Sequence, residues 1–201
     1  MTQSPRKSQK SDDLTRLFEE QAIPHTEALL RTANRMTRNA ADAGDLVQET
    51  MLKAYRFFGR FEQDTNIRAW LFKIMTNLYI NRYRKEKRSP RQLSIDDMED
   101  FVLYSQMTEN RAYDPEQPDT RVFADLFADR VREEIDDLPE EFRTVAVLAI
   151  MEGFSYQEIA EIAGLHLGTV KSRLFRGRKI LQNRLAEYAR KKGYLKEASE
   201  L

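Results

Sequence analysis

Lys171, Arg173, Arg176, Arg178 and Lys179 fall within nine residues that hold no acid, with Ser172 among them and Thr169 just before. Cations of this density suit phosphate oxygens, and hydroxyls with guanidinium forks suit base edges. The residues just upstream supply a scaffold for them. In "GFSYQEIAEIAGLHLGTVKSRLFRGRKIL", Ser155 precedes Glu158 by three positions, a capping box at a helix start. Gly164 is the expected residue past that helix's end, and a second helix is expected to start around Gly168 or Thr169. Ile159 and Ala160 would face inward, Ala160 being small where two helices cross. Val170, Leu174 and Leu181 would hold the second helix to a core. This is the grammar of a helix-turn-helix. The first turn of its second helix enters the major groove, and later cations reach the backbone. Thr169, Lys171, Ser172 and Arg173 are therefore the candidates for base edges, and Arg176, Arg178 and Lys179 for phosphates. A plain helical hairpin with a solvated basic face is the alternative. The joint presence of capping box, small residue, glycine turn and acid-free second helix favours DNA.

A second constellation lies in "FKIMTNLYINRYRK", residues 72–85. Lys73, Asn77, Asn81 and Arg84 step by four, four and three, so they share one helical stripe, opposite Trp70, Ile74 and Leu78, which are expected in the core. An asparagine amide offers both a donor and an acceptor to a base edge. Spacing alone leaves this stripe open between a solvated back and a working surface. Trp70 could stack a base, although a tryptophan at a helical core position suits packing better. Asp45, Gln48, Glu49 and Leu52 form a third stripe, stepping by three, one and three. Taken alone it reads as a solvated acidic face. His25 has no partner in view, and His166 is read as inert.

Composition narrows the classes. The 201 residues are 41% hydrophobic, so a core is available, and 33% charged, above the globular average of roughly 25%. The absence of cysteine excludes disulfides and thiolate metal sites. No apolar run approaches the ~20 residues of a membrane span, and the start "MTQSPRKSQKSDD" lacks the apolar stretch of a secretory signal. A soluble, cytoplasmic chain without membrane insertion is expected. Net charge is zero, but basic blocks at 77–91 and 166–184 flank an acidic stretch at 96–141. That layout suggests two polyanion-binding surfaces on one chain.

The elements that must position these residues all read as helices, with neither two-residue alternation nor hairpin turns. A first helix is expected over 14–39, broken or kinked at Pro24. "ADAGD" reads as a turn, with Asp42 or Asp45 capping a helix over 46–58 whose Leu46, Val47, Met51, Tyr55 and Phe58 share a face. "GRFEQDTN" reads as a loop, followed by a helix marked by Ile67, Trp70, Leu71, Ile74 and Leu78 and ending near Arg88. Phe123, Phe127, Val131, Ile135 and Leu138 mark a further helical face, and Pro139 suits the first turn of the next helix. The expectation is an all-α chain of two small helical domains joined by an acidic flexible linker. Residues 1–12 would be a disordered tail, 13–93 the first domain, 94–118 the linker, 119–192 the second domain and 193–201 a C-terminal tail.

The segment from "EEIDDLPEEFRTVAVLAIMEGFSYQEIAEIAGLHLGTVKSRL" through "FRGRKIL" resembles region 4 of the extracytoplasmic-function (ECF) sigma factors. "DAGDLVQETMLKAYRFF" is similar to their region 2.1–2.2 and "FEQDTNIRAWLFKIMTNLYINRYRK" to regions 2.3–2.4, in family order. The wording "TNIRAWLFKIMTNLYIN" looks closest to the redox-responsive members controlled by zinc-binding anti-sigma factors. The resemblance implies an alternative sigma factor that binds RNA polymerase core and directs promoter-specific initiation in a stress response, with no catalysis and no cofactor or metal of its own. It places Asp45, Gln48, Glu49 and Leu52 on the β′ coiled coil of polymerase. It gives the opened −10 strand to Phe61, Asn66, Lys73, Asn77, Asn81 and Arg84. It gives the −35 duplex to the helix-turn-helix residues Thr169, Lys171, Ser172, Arg173, Arg176, Arg178 and Lys179, with the β-flap meeting the same region. An anti-sigma factor, of the zinc-binding kind, is the further partner implied. Two rival classes fit less well. A duplex-binding regulator would carry a receiver, ligand pocket or dimerisation heptad within 14–91, and a nucleic-acid enzyme would need clustered carboxylates or an activated nucleophile.

Overall fold

The computed structural model describes residues 5–62, 65–87 and 121–192. Every regular element among them is helical, and none of these helices is long and apolar enough to cross a membrane. The chain divides into two compact units, with the helices up to Lys87 in one and nearly all of those beyond Arg121 in the other.

The first unit is built from α1 (Pro5–Ala22), a 3-10 turn (Ile23–His25), α2 (Thr26–Thr37), α3 (Ala40–Phe57), a second 3-10 turn (Phe58–Arg60) and α4 (Ile67–Lys87). The break at Pro24 is present, as a single tight turn that separates α1 from α2. The start of α1 at Pro5 replaces the disordered tail expected over 1–12 with helix from that proline onward. Proline is well suited to a first helical position, and the lysines and glutamine that follow are good helix formers.

The corner between α2 and α3 also differs from expectation. "ADAGD" is helical, and the turn lies earlier, at Arg38, whose backbone is left-handed (φ 58). Asn39 rather than Asp42 or Asp45 caps α3, its Oδ1 accepting from the Ala41 and Asp42 amides at 2.9 and 3.2 Å. Arg38 N–H closes α2 on the Asn34 carbonyl. Across the unit, Tyr79 of α4 donates its hydroxyl to the Met36 carbonyl at 2.9 Å, fixing α4 against the end of α2.

The core of this unit contains Phe18, Leu29, Met36, Leu46, Phe58, Leu71, Phe72 and Met75, all buried. Aromatic rings knit one side of it. Phe18 meets Tyr55 and Phe58 edge-on at 5.3 and 5.2 Å, Phe58 stacks on Phe61 at 5.9 Å, and Phe61 meets Trp70 at 4.9 Å. Edge-to-face and offset pairs at these separations are favourable beyond the area they bury.

The second unit contains α5 (Arg121–Asp136), α6 (Glu140–Ala146), a π-helical turn (Val147–Met151), α7 (Tyr156–Ala163) and α8 (Leu167–Lys191). Ile135, Leu138, Ala146, Val147 and Leu181 form its buried cluster, with Val131, Phe142, Ile180 and Leu185 packed against it. Pro139 occupies the cap position before α6. The close helix crossing falls at Gly177, where a Cβ would stand 3.4 Å from Phe142 Cβ and 3.7 Å from Leu138 Cδ1. Ala160, expected at such a crossing, is only part-buried. Glu134, buried on α5, pairs with Arg130 on its own helix and with Arg184 of α8 at 3.2 Å, pinning the far half of α8. The expected linker at 94–118 and tail at 193–201 lie outside the described residues, as do the side chains of Phe123 and Phe127.

Candidate nucleic-acid interface

The helix-turn-helix of the second unit is built as its sequence grammar requires. Ser155 N–H donates to Glu158 Oε2 at 2.9 Å, and Glu158 N–H is 3.3 Å from Ser155 Oγ, so each residue satisfies the other's backbone donor at the start of α7. Gly164 sits at φ +64, a conformation that costs glycine nothing. Leu165 N–H then reaches back to the Ala160 carbonyl at 3.0 Å, the six-to-one bond that closes such a helix end. α8 begins one or two residues earlier than expected, at Leu167, with the exposed His166 at its cap position and no side-chain cap bond there. Val170, Leu174 and Leu181 are buried as expected.

The basic residues of α8 stay at the surface. Lys171, Arg173, Arg176 and Arg178 are half-buried and Lys179 is exposed. Arg178 lies over the Tyr156 ring at 5.9 Å, which ties the start of α7 to the middle of α8. Two of the expected base readers are placed otherwise. Thr169 is 7% exposed and Ser172 3% exposed, and Ser172 Oγ donates to the Thr169 carbonyl at 3.1 Å. Neither side chain lies open, because the helix phase that buries Val170 and Leu174 turns both inward as well.

In the first unit α4 carries the asparagine stripe. Lys73, Asn77 and Asn81 are exposed, while the side chain of Arg84 lies outside the described residues. The fully buried face opposite them is Leu71, Phe72, Met75, Thr76 and Tyr79. Trp70, Ile74 and Leu78 are only half-buried and flank the stripe rather than oppose it. Trp70 packs on Phe61, yet keeps part of its surface open beside Lys73. Phe61 itself is 9% exposed and sandwiched between Phe58 and Trp70, so its ring belongs to the core and has no open face for a base. Asn66 is committed locally: its Oδ1 accepts from the Ala69 amide at 3.1 Å and caps α4. That role was legible in the polar residue immediately preceding Ile67.

On α3 the acidic stripe is open. Asp45, Gln48 and Glu49 are exposed, and Leu52, at the C-terminal end of the stripe, is 64% exposed. Glu49 reaches Arg82 of α4 at 3.1 Å. Tyr55, expected in the core, is 48% exposed and lies one turn beyond Leu52 on the same side, its hydroxyl 2.8 Å from Thr15 Oγ1 of α1. An exposed leucine and tyrosine beside polar residues leave an apolar patch open on this face. No three histidine, aspartate or glutamate side chains converge as a metal site among the described residues.

Comparison with known proteins follows the same two units. Sigma-70 region 2 matches residues 24–89, and Sigma-70, region 4 matches residues 128–181. That pair, in that order, defines the class as a sigma-70-type initiation factor. The ECF RNA polymerase sigma factor SigE of Mycolicibacterium smegmatis is 35% identical over 86% of this chain, and the chain spans 63% of its length. SigW of Bacillus subtilis, also an ECF RNA polymerase sigma factor, is 31% identical, with 81% of this chain and 86% of that protein covered. Among solved structures, the sigma factor RpoE of Bartonella quintana, crystallised with the anti-sigma factor NepR, aligns with a TM-score of 0.58 at 28% identity, over 84% of this chain and 96% of that one. CnrH in complex with the cytosolic domain of CnrY aligns at 0.57 and 26% identity, over 90% and 94%. The chain belongs to the ECF sigma factors of the sigma-70 family. It is an alternative sigma factor of transcription initiation and not an enzyme.

Proposed function

We propose that the two units divide promoter recognition between them and that α3 fastens the factor to core polymerase. The open stripe Asp45, Gln48, Glu49 and Leu52, extended by Tyr55, docks on the β′ coiled coil. On α4, Lys73, Asn77, Asn81 and Arg84, with Asn66 and the open part of Trp70, take the separated −10 strand. Cations follow its backbone, while amides and an aromatic surface meet unstacked bases. In the second unit the helix-turn-helix reads the −35 duplex, through Lys171 and Arg173 at base edges and through Arg176, Arg178 and Lys179 at phosphates. The β-flap meets this unit as well. The observation that carries the reading is the α4 stripe. Lys73, Asn77 and Asn81 are exposed directly opposite a fully buried face, with nothing in the fold that requires two asparagines there.

The factor works in the cytoplasm, where polymerase is. An anti-sigma factor holds it inactive, a reading supported by the structural neighbour RpoE, a sigma factor crystallised with the anti-sigma factor NepR. We assign that partner to the zinc-binding, redox-responsive kind from the wording of 65–81; with no cysteine in this chain, thiol sensing would reside in the partner. Co-purification of the native protein, followed by metal analysis of whatever accompanies it, tests this assignment, and a partner without zinc refutes it. Transcription in vitro with core polymerase tests the main reading. Promoter-specific initiation is expected; a protein that binds duplex DNA yet never programmes core enzyme would be a regulator instead.

A further inference from the structure

The first turn of α8 is the part of a helix-turn-helix that enters the major groove, and in this structure it presents an unusual choice of side chains. It consists of Leu167, Gly168, Thr169 and Val170. Thr169 and Val170 are buried, and Gly168 has no side chain. Leu167 alone in that turn offers a side chain to the outside, at 38% exposure. A single exposed leucine on a general surface needs no explanation. At the leading turn of a reading helix it does, because it is the group that arrives first at the groove floor. Lys171 lies four residues on along the same side of α8, so a phosphate or base-edge contact and an apolar contact fall on one line.

The only apolar group that a base pair displays in the major groove is the C5-methyl of thymine. From this we infer that Leu167 is a specificity residue, reading a thymine methyl in the upstream duplex element. The hydrogen-bonding readout expected from Thr169 is thereby replaced by an apolar one. The inference rests on the duplex reading proposed above and adds to it a named chemical group on the DNA.

The test removes that group and nothing else. Holoenzyme reconstituted from the full chain and bacterial core polymerase selects its upstream element from a pool of duplexes. Each thymine of the selected element is then replaced singly by uracil. At one or two positions the wild type should bind the uracil duplex about fourfold more weakly, the effect of one buried methyl group. Leu167→Ala should lose the same factor on thymine DNA and show no thymine-over-uracil preference at those positions. Leu167→Met, which keeps an apolar tip, should restore part of it. Salt dependence should stay unchanged in both variants, since no phosphate contact is removed. If no thymine methyl matters, or if Leu167→Ala keeps the full preference, the inference is overturned while duplex reading stands. If the holoenzyme selects no upstream element at all, the duplex reading itself has failed.

Discussion

Asn66 joins a structural role and a proposed recognition role in one amide. Its Oδ1 caps α4, and the proposed role in strand capture needs the same side chain. The two separate by substitution. Asn66→Ala should lower stability by about 1 kcal/mol through loss of the cap and also weaken −10 strand binding. Asn66→Ser keeps a capping oxygen and should hold stability within about 0.5 kcal/mol, while strand binding still falls. Thermal melts alongside oligonucleotide titration distinguish them; full strand binding by Asn66→Ser would remove Asn66 from the site. His25 makes a different kind of prediction. Burial, and then the neighbouring Arg68 charge, lowers its pKa below the ordinary 6.5. Well above that value both folded and unfolded chains hold it neutral, so it has no effect there. As pH falls below that value, the unfolded chain takes up a proton that the folded chain resists, so stability declines until the folded value is passed. His25→Gln should flatten that decline in melts run from neutral to mildly acidic pH. An unchanged slope would mean that other groups cause it.

At the scale of elements, the amphipathic periods located the helices but not always their phase or ends. α4 is apolar over much of its circumference, so picking out Trp70, Ile74 and Leu78 placed its buried face to one side of Leu71, Phe72, Met75 and Tyr79. A narrow apolar stripe would have fixed the phase; a broad one does not. The start of α3 was hidden because Gly44 and two aspartates imitate a turn, while the residue that sets the boundary, Asn39, lies just before them. Tyr55 shares the apolar period of Leu46, Val47, Met51 and Phe58, yet its ring meets Phe18 only edge-on and stays 48% exposed. Gly44 and Gly177, both helical, differ in ways that only three dimensions reveal. A Cβ at Gly44 meets nothing within 4 Å, so Gly44→Ala should raise stability by about 0.5–1 kcal/mol. At Gly177 Phe142 stands in contact already, so Gly177→Leu should cost about 1–3 kcal/mol by overpacking. Denaturant titration measures both, and a tolerated Gly177→Leu would disprove the close crossing of α6 and α8.

For the whole molecule, charge layout was the most legible feature and contact chemistry the least. Two basic blocks around an acidic stretch point to two polyanion-binding surfaces, and in the second block the cations of α8 keep to the surface. Which side chains stay open depends on helix phase, so Thr169, Ser172 and Phe61 are buried while Lys73, Asn77 and Leu52 are open at the surface. The proposed division of labour predicts that damage in each unit is read by a different assay. Leu52→Asp changes a largely exposed side chain, so the thermal midpoint should hardly move, yet affinity for core polymerase should fall at least tenfold. Arg176→Ala should leave core affinity intact. It should weaken promoter binding at every sequence and reduce the salt slope by about one unit, the signature of a lost phosphate contact. Core affinity measured by fluorescence titration and promoter affinity measured across a salt series decide the matter together. If Leu52→Asp binds core normally, α3 does not dock. If Arg176→Ala weakens binding only at particular bases, with the slope unchanged, Arg176 reads sequence and the assignment of phosphates along α8 must shift.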